Sequence, residues 1–192
     1  MSLLIAGLVL FLGTHSVSIV NPGWRERVIA RVGEIPWKLL YGLVAIAGFV
    51  LIVVGYGDAR AVANPFVLYT PPIWLRHVAL LLLLPVFPLL LAAYLPGRIQ
   101  RATRHPMLLA VQLWAVAHLL ANGSLRDLLL FGGFLVWAVA DRVSLMRRPA
   151  VPVPGAPPAK WNDAIAVVGG LLLYAAFILG LHLWLIGVPP LA

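Results

Sequence analysis

Six apolar stretches divide this sequence, near residues 2–20, 37–56, 73–94, 105–121, 125–140 and 163–188, with only short polar connections between them. A helix needs about 20 apolar residues to cross roughly 30 Å of hydrocarbon, so several of the runs qualify independently of one another. No water is available at that depth, and each segment must pair its own amides and carbonyls, which only helices do one segment at a time. The sequence therefore predicts an all-α fold, a polytopic membrane bundle of six transmembrane helices in one domain covering residues 1–192. A hydrophobic content of 62% and a mean hydropathy of +1.01 exclude an ordinary soluble domain. The first run has the apolar character of a signal peptide, yet no Lys or Arg precedes it and no small-residue cleavage site stands out, so a membrane span is expected there.

The net charge of +8 raises the question of a nucleic-acid partner. The cations are instead dispersed along short connections. Connections one, three and five carry Arg25, Arg27, Arg31 and Lys38, then Arg98, Arg101 and Arg104, then Arg142, Arg147, Arg148 and Lys160, whereas two and four carry only Arg60, Arg76 and Arg126. This asymmetry orients the odd connections toward the cytoplasm and both termini outward, with membrane lipids as partners and no nucleic acid. The chain has no cysteine, which removes disulfides, thiolate ligands, iron–sulfur clusters and a cysteine nucleophile. Asp58, Asp127, Asp141 and Asp163 fall at the edges of the runs, so general acid or base chemistry has few candidates.

Within the third run, "LLLLPVFPLLL" places Pro85 and Pro88 where each removes a backbone donor, and a bend bordering a cavity is expected. Gly7 and Gly13, Gly42 and Gly48, and Gly132 with Gly133 are read as points of close helix contact. The fifth connection, "RRPAVPVPGAPPAK" at 147–160, holds five prolines and reads as an extended, semi-rigid linker that leaves the sixth helix peripheral.

The five histidines, His15, His77, His105, His118 and His182, lie within or at the ends of the runs, where an ionisable side chain is costly and calls for a functional explanation. Burial favours the neutral ring, which is also the form that binds metals. His105 and His118 stand thirteen residues apart, about 20 Å of rise and about 220° of rotation, so they do not share a metal. In "RHP", Pro106 takes the first helical position and His105 caps it; Arg104, with Arg98 and Arg101, makes this helix start attractive to an anion such as a lipid phosphate or a nucleotide-like ligand. His118 lies deep in its run, and His15 in "FLGTHSVS" is its best partner on another helix. Two histidines suffice as axial ligands of a haem, whereas a bare zinc ion asks for three or four donors. His77 and His182, near the ends of their runs, are alternatively interfacial residues with a wet edge.

The segments "GTHS" at 13–16, "WLRH" at 74–77, "AAYLPGRI" at 92–99, "RHPMLL" at 104–109, "AHLLANG" at 117–123, "DRVSLMRR" at 141–148 and "LHLWLIG" at 181–187 resemble, in that order, the NnrU family of small bacterial membrane proteins associated with denitrification and nitric oxide metabolism. That resemblance implies a multi-pass protein of the bacterial inner membrane, in which the cation asymmetry makes the termini periplasmic. NnrU proteins are in turn similar to 15-cis-zeta-carotene isomerase, a haem b enzyme. This likeness carries the axial positions onto His15 and His118, matches Trp114 and Ala117, and implies haem b, redox-dependent isomerase-like activity and a hydrophobic small molecule or nitric oxide as ligand. The chain departs from that isomerase in a shorter second connection and an added sixth helix.

A more distant likeness, to isoprenylcysteine carboxyl methyltransferases, rests on "RHP" and implies S-adenosylmethionine held near Arg104 and His105. The tyrosine and glycine of that motif are here Leu108 and Ala110, and the later acidic pair is replaced in Val143, Ser144 and Leu145. A third expectation is a non-enzymatic module that assists assembly of a nitrogen oxide reductase.

Overall fold

A computed structural model describes residues 1–148 and 154–191. Among them the chain forms helices α1 (Ser2–Val20), α2 (Pro22–Val32), α3 (Glu34–Ala61), α4 (Trp74–Ala92), α5 (Arg98–Thr103), α6 (Pro106–Ala121), α7 (Leu125–Met146) and α8 (Asn162–Ile186). Five of these, α1, α3, α4, α7 and α8, are long and apolar enough to cross a membrane. The sixth apolar helix, α6, has 16 residues, about 24 Å at the α-helical rise. It is shortened by the proline at its start and by Asn122–Gly123 at its end. The fold is that of an all-α polytopic membrane protein.

Several helix limits exceed the apolar runs. α3 extends to Ala61 and α7 to Met146, because backbone pairing continues after the side chains turn polar at Asp58 and Asp141. The first connection also holds a helix where a plain loop was expected. In α2 the Asn21 side chain accepts the Trp24 amide at 2.9 Å, Pro22 starts the first turn, and Gly33 ends the helix with a φ of 90°. No residue of α2 is buried; with Arg25, Arg27, Arg31 and Trp24, it has the composition of a helix lying at a membrane interface.

The chain forms two compact units, Met1–Pro71 with Asn122–Pro149, and Pro72–Ala121 with Ala150–Ala192. In the first, α1 packs along α3 on a seam of small residues. A Cβ on Gly7 would come within 2.6 Å of the Ile52 nitrogen, one on Gly48 within 2.8 Å of the Phe11 nitrogen, and one on Gly55 into the backbone of Leu3 and Leu4. Gly13 and Gly42 face open space, so only one of each expected pair makes the contact. Gly132 and Gly133 have ordinary spacing from neighbouring leucines. α7 joins this unit through Phe134, 5.8 Å from Phe11, and contains a π-helical turn at Leu128–Gly132. At one end, the second and fourth connections pair: the Leu68 amide donates to the Gly123 carbonyl at 2.8 Å, and the Leu125 amide to Phe66 at 2.9 Å. The Tyr69 hydroxyl donates to the Asn122 carbonyl at 2.7 Å, and partial desolvation, reinforced by the Asp127 charge, raises its pKa above the usual phenol value.

In the second unit α4 is interrupted at Leu84 and Pro85, in keeping with the expected bend. Beyond the interruption Val86 and Leu89 form a core with Ala110 of α6, flanked by Leu113 and Trp114. α8 is integral to this unit rather than peripheral. Gly170 lies against the Pro88 backbone, the Phe87 and Phe177 rings meet at 4.9 Å with a tilt of 42°, and the Tyr174 hydroxyl donates to the Leu80 carbonyl at 3.1 Å. Part of the proline-rich linker, residues 149–153, lies outside the described residues; its remainder is fastened to the third connection. The Ala156 amide donates to Tyr94 at 2.8 Å, Asn162 Nδ2 donates to the Pro96 carbonyl at 2.9 Å, and the Asp163 carboxylate accepts the Arg98 and Ile99 amides at 2.8 and 3.1 Å. That carboxylate supplies the start of α5 with the negative charge its free amides attract.

Candidate functional site

Three consecutive polar side chains lie on α1, and each is satisfied within its own helix. The Thr14 hydroxyl donates to the Leu10 carbonyl at 2.6 Å, His15 Nδ1 to Phe11 at 2.7 Å, and the Ser16 hydroxyl to Leu12 at 2.7 Å. Reaching back four residues lets the helix carry polarity without exposing unpaired groups to lipid. The bond at His15 also decides its tautomer. A carbonyl oxygen only accepts, so Nδ1 carries the proton and the neutral ring presents its Nε2 lone pair away from the helix backbone.

His15 is ringed by aromatic side chains. Phe11 lies 4.3 Å away between centroids, Tyr41 of α3 meets it edge-on at 5.4 Å, and Trp137 of α7 edge-on at 6.0 Å. Trp137 Nε1 is buried and has no hydrogen-bond partner. An unmet buried donor of this kind costs about 1–3 kcal/mol.

In the second unit His118 repeats the arrangement. Its Nδ1 donates to the Trp114 carbonyl at 2.8 Å, which again leaves Nε2 with the lone pair. The Trp114 ring lies 5.2 Å from the imidazole, so the matched tryptophan does adjoin its histidine, from the position one turn back. The side chain closest to the role of a second imidazole here is one the sequence reading set at an interface. His182 lies 6.5 Å from His118 with its ring inclined by only 26°. Its Nδ1 donates to the Val188 carbonyl at 2.6 Å, across a turn closed by Gly187 at a φ of 78°. A π-helical turn at Phe177–Leu181 immediately precedes it. Such turns re-aim side chains and recur at functional sites, but the sequence carries no visible mark of this one.

The other expected site residues lie on α4 and at the start of α6. His77, on the second turn of α4, is exposed. Arg104 and His105 form the reversal between α5 and α6, at the opposite end of α6 from His118. The His105 carbonyl accepts the Leu109 amide at 3.2 Å, as a residue capping Pro106 should. Arg104 has a φ of 60°, a conformation costing about 1–3 kcal/mol outside glycine, and its side chain is exposed. Among the described residues, no three His, Asp or Glu side chains gather closely enough to hold a bare metal ion.

Comparison with known proteins gives one match. The family model described as NnrU protein aligns with residues 3–190. No curated protein and no solved structure matches the chain. With all but its outermost residues covered by that model, the chain belongs to the NnrU family.

Proposed function

We propose that this protein binds haem b in the bacterial inner membrane, and that Nε2 of His15 and Nε2 of His118 would hold its iron. The observation that carries the reading is the shared hydrogen bond. In each ring Nδ1 is committed to the carbonyl four residues back, which fixes the tautomer, orients the ring and leaves the nitrogen that ligates metals unprotonated. A bound haem would supply an iron able to take up nitric oxide or to assist rotation about a double bond of a hydrophobic substrate. The chain's own part is to hold and shield. Phe11, Tyr41 and Trp137 surround one imidazole, and Trp114 packs beside the other. The Trp137 ring, 6.0 Å from His15, would pack beside whatever is bound there.

A link to denitrification or nitric oxide metabolism, and isomerase-like catalysis, follow from resemblance and are part of this proposal. So is the orientation with periplasmic termini, which rests on the cation asymmetry. The pairing of connection two with four, and of three with five, is compatible with it.

A second reading takes His182 as the partner of His118, on the strength of their nearly parallel rings 6.5 Å apart. An absorption spectrum of the detergent-purified protein tests both. A sharp Soret band that shifts on reduction is expected, with haem lost in His118→Ala. Loss in His15→Ala and retention in His182→Ala supports the first pairing; the converse supports the second. Unchanged haem stoichiometry in both His15→Ala and His118→Ala removes the ligand assignment. Heat on titration with S-adenosylmethionine would favour the methyltransferase likeness at Arg104 and His105 instead.

A further inference from the structure

Only three cations lie in connections two and four, and one of them, Arg126, is half-buried at the start of α7. Its Nη1 donates to the Ala59 carbonyl at 2.8 Å, while its Nε is buried without a partner. The adjacent carboxylate is committed elsewhere. Asp127 accepts the Tyr56 hydroxyl at 2.6 Å on one oxygen, and on the other the Ser124 hydroxyl at 2.5 Å and amide at 3.2 Å. No ion pair joins Arg126 to Asp127 among the described residues. The guanidinium thus retains both its charge and an unmet donor.

Beside it is a cavity of about 100 Å³ lined by Ala59, Val62, Pro65, Phe66, Leu125 and Arg126, among others. Its walls are mainly apolar, and the charges at its lining, the guanidinium and the α-amino group of Met1, are both cationic. Nε itself is sealed from the cavity, so a ligand there meets the guanidinium through its charge and its other nitrogens; a water molecule would leave that charge uncompensated, whereas an oxyanion compensates it through a charge-assisted hydrogen bond. The cavity lies where α3 ends and α7 begins, among side chains suited to the glycerol and upper acyl carbons of a lipid.

We propose that Arg126 and this cavity bind an oxyanion, either the phosphate of a lipid headgroup or free phosphate. The site lies wholly within the first unit and is independent of the haem proposal. The test uses the full-length protein in detergent, with phosphatidylglycerol followed by native mass spectrometry in one arm, and inorganic phosphate followed by thermal unfolding in the other. Wild type should retain one phosphatidylglycerol, and Arg126→Gln should weaken retention about tenfold or more, the scale of one hydrogen bond to a charged group. Arg126→Lys should restore it only in part, because the ammonium keeps the charge but lacks the planar fork of the guanidinium. A phosphate-dependent rise in melting temperature, abolished in Arg126→Gln, would identify the free anion as the occupant. Equal lipid retention and equal phosphate response in wild type and Arg126→Gln overturns the proposal. If Arg126→Gln does not fold, Val62→Phe decides: it fills the cavity while keeping the guanidinium, and unchanged binding in that variant overturns the proposal equally.

Discussion

His15 on α1 and His118 on α6 are held alike, each by an Nδ1–H bond to the carbonyl four residues back, at 2.7 and 2.8 Å. Around them the two units diverge. His15 sits among Phe11, Tyr41 and Trp137, with an indole donor left unmet; His118 has Trp114 and a second histidine, whose Nδ1 is itself committed to a carbonyl. Tautomer and ring direction are therefore local properties, settled within one helical turn. What each imidazole can ligate or shelter is a property of the helices packed against it.

The comparison also extends to how each unit is closed, and there the largest effects are expected. Gly55 in the first unit and Gly170 in the second each lie against another helix's backbone, which has little freedom to yield. Gly55→Ala and Gly170→Ala should each cost about 3 kcal/mol or more, at the upper end of overpacking penalties, read as lowered melting temperature and detergent-extracted yield. A change under about 1 kcal/mol at either position would show that its unit is looser than the seam implies. A smaller and more discriminating effect is expected at Trp137. In haem-free protein Trp137→Phe removes a donor that had no partner, so stability should stay within about 1 kcal/mol of wild type or rise. In haem-loaded protein the same variant should shift the Soret maximum or the reduction midpoint, and an identical spectrum and midpoint would reduce Trp137 to packing. The smallest effect belongs to Gly13, which faces open space within the helix that carries His15. Gly13→Ala should be neutral or stabilising by about 0.5–1 kcal/mol in thermal unfolding, since alanine costs less helical entropy.

The spans were legible because length and apolarity suffice to specify a membrane helix, whatever packs on it. The capping role of His105 and the break at Pro85 were legible too, since proline acts on its own backbone. The glycines were not. Gly13 and Gly48 look alike in sequence, and only the face each turns to a neighbour separates open space from contact with Phe11. α2 was hidden because its cations resemble a loop's, and its start depends on a single Asn21 side-chain bond. His182 reads as interfacial from its place near the end of its run, and no periodicity reports its contact with His118 on another helix. The unmet donors of Trp137 and Arg126 belong to the same class: a sequence shows that a group can donate, and only packing shows that nothing accepts.

The two units alternate along the chain, each built from one stretch before residue 122 and another after it. During synthesis the first three helices therefore wait for α7 before Phe11 meets Phe134, and α4 waits for α8 before Pro88 meets Gly170. A ribosome that stops midway releases neither unit in finished form. Co-expressed fragments divided at the middle of the chain would each have to recruit the missing strand of polypeptide from the other.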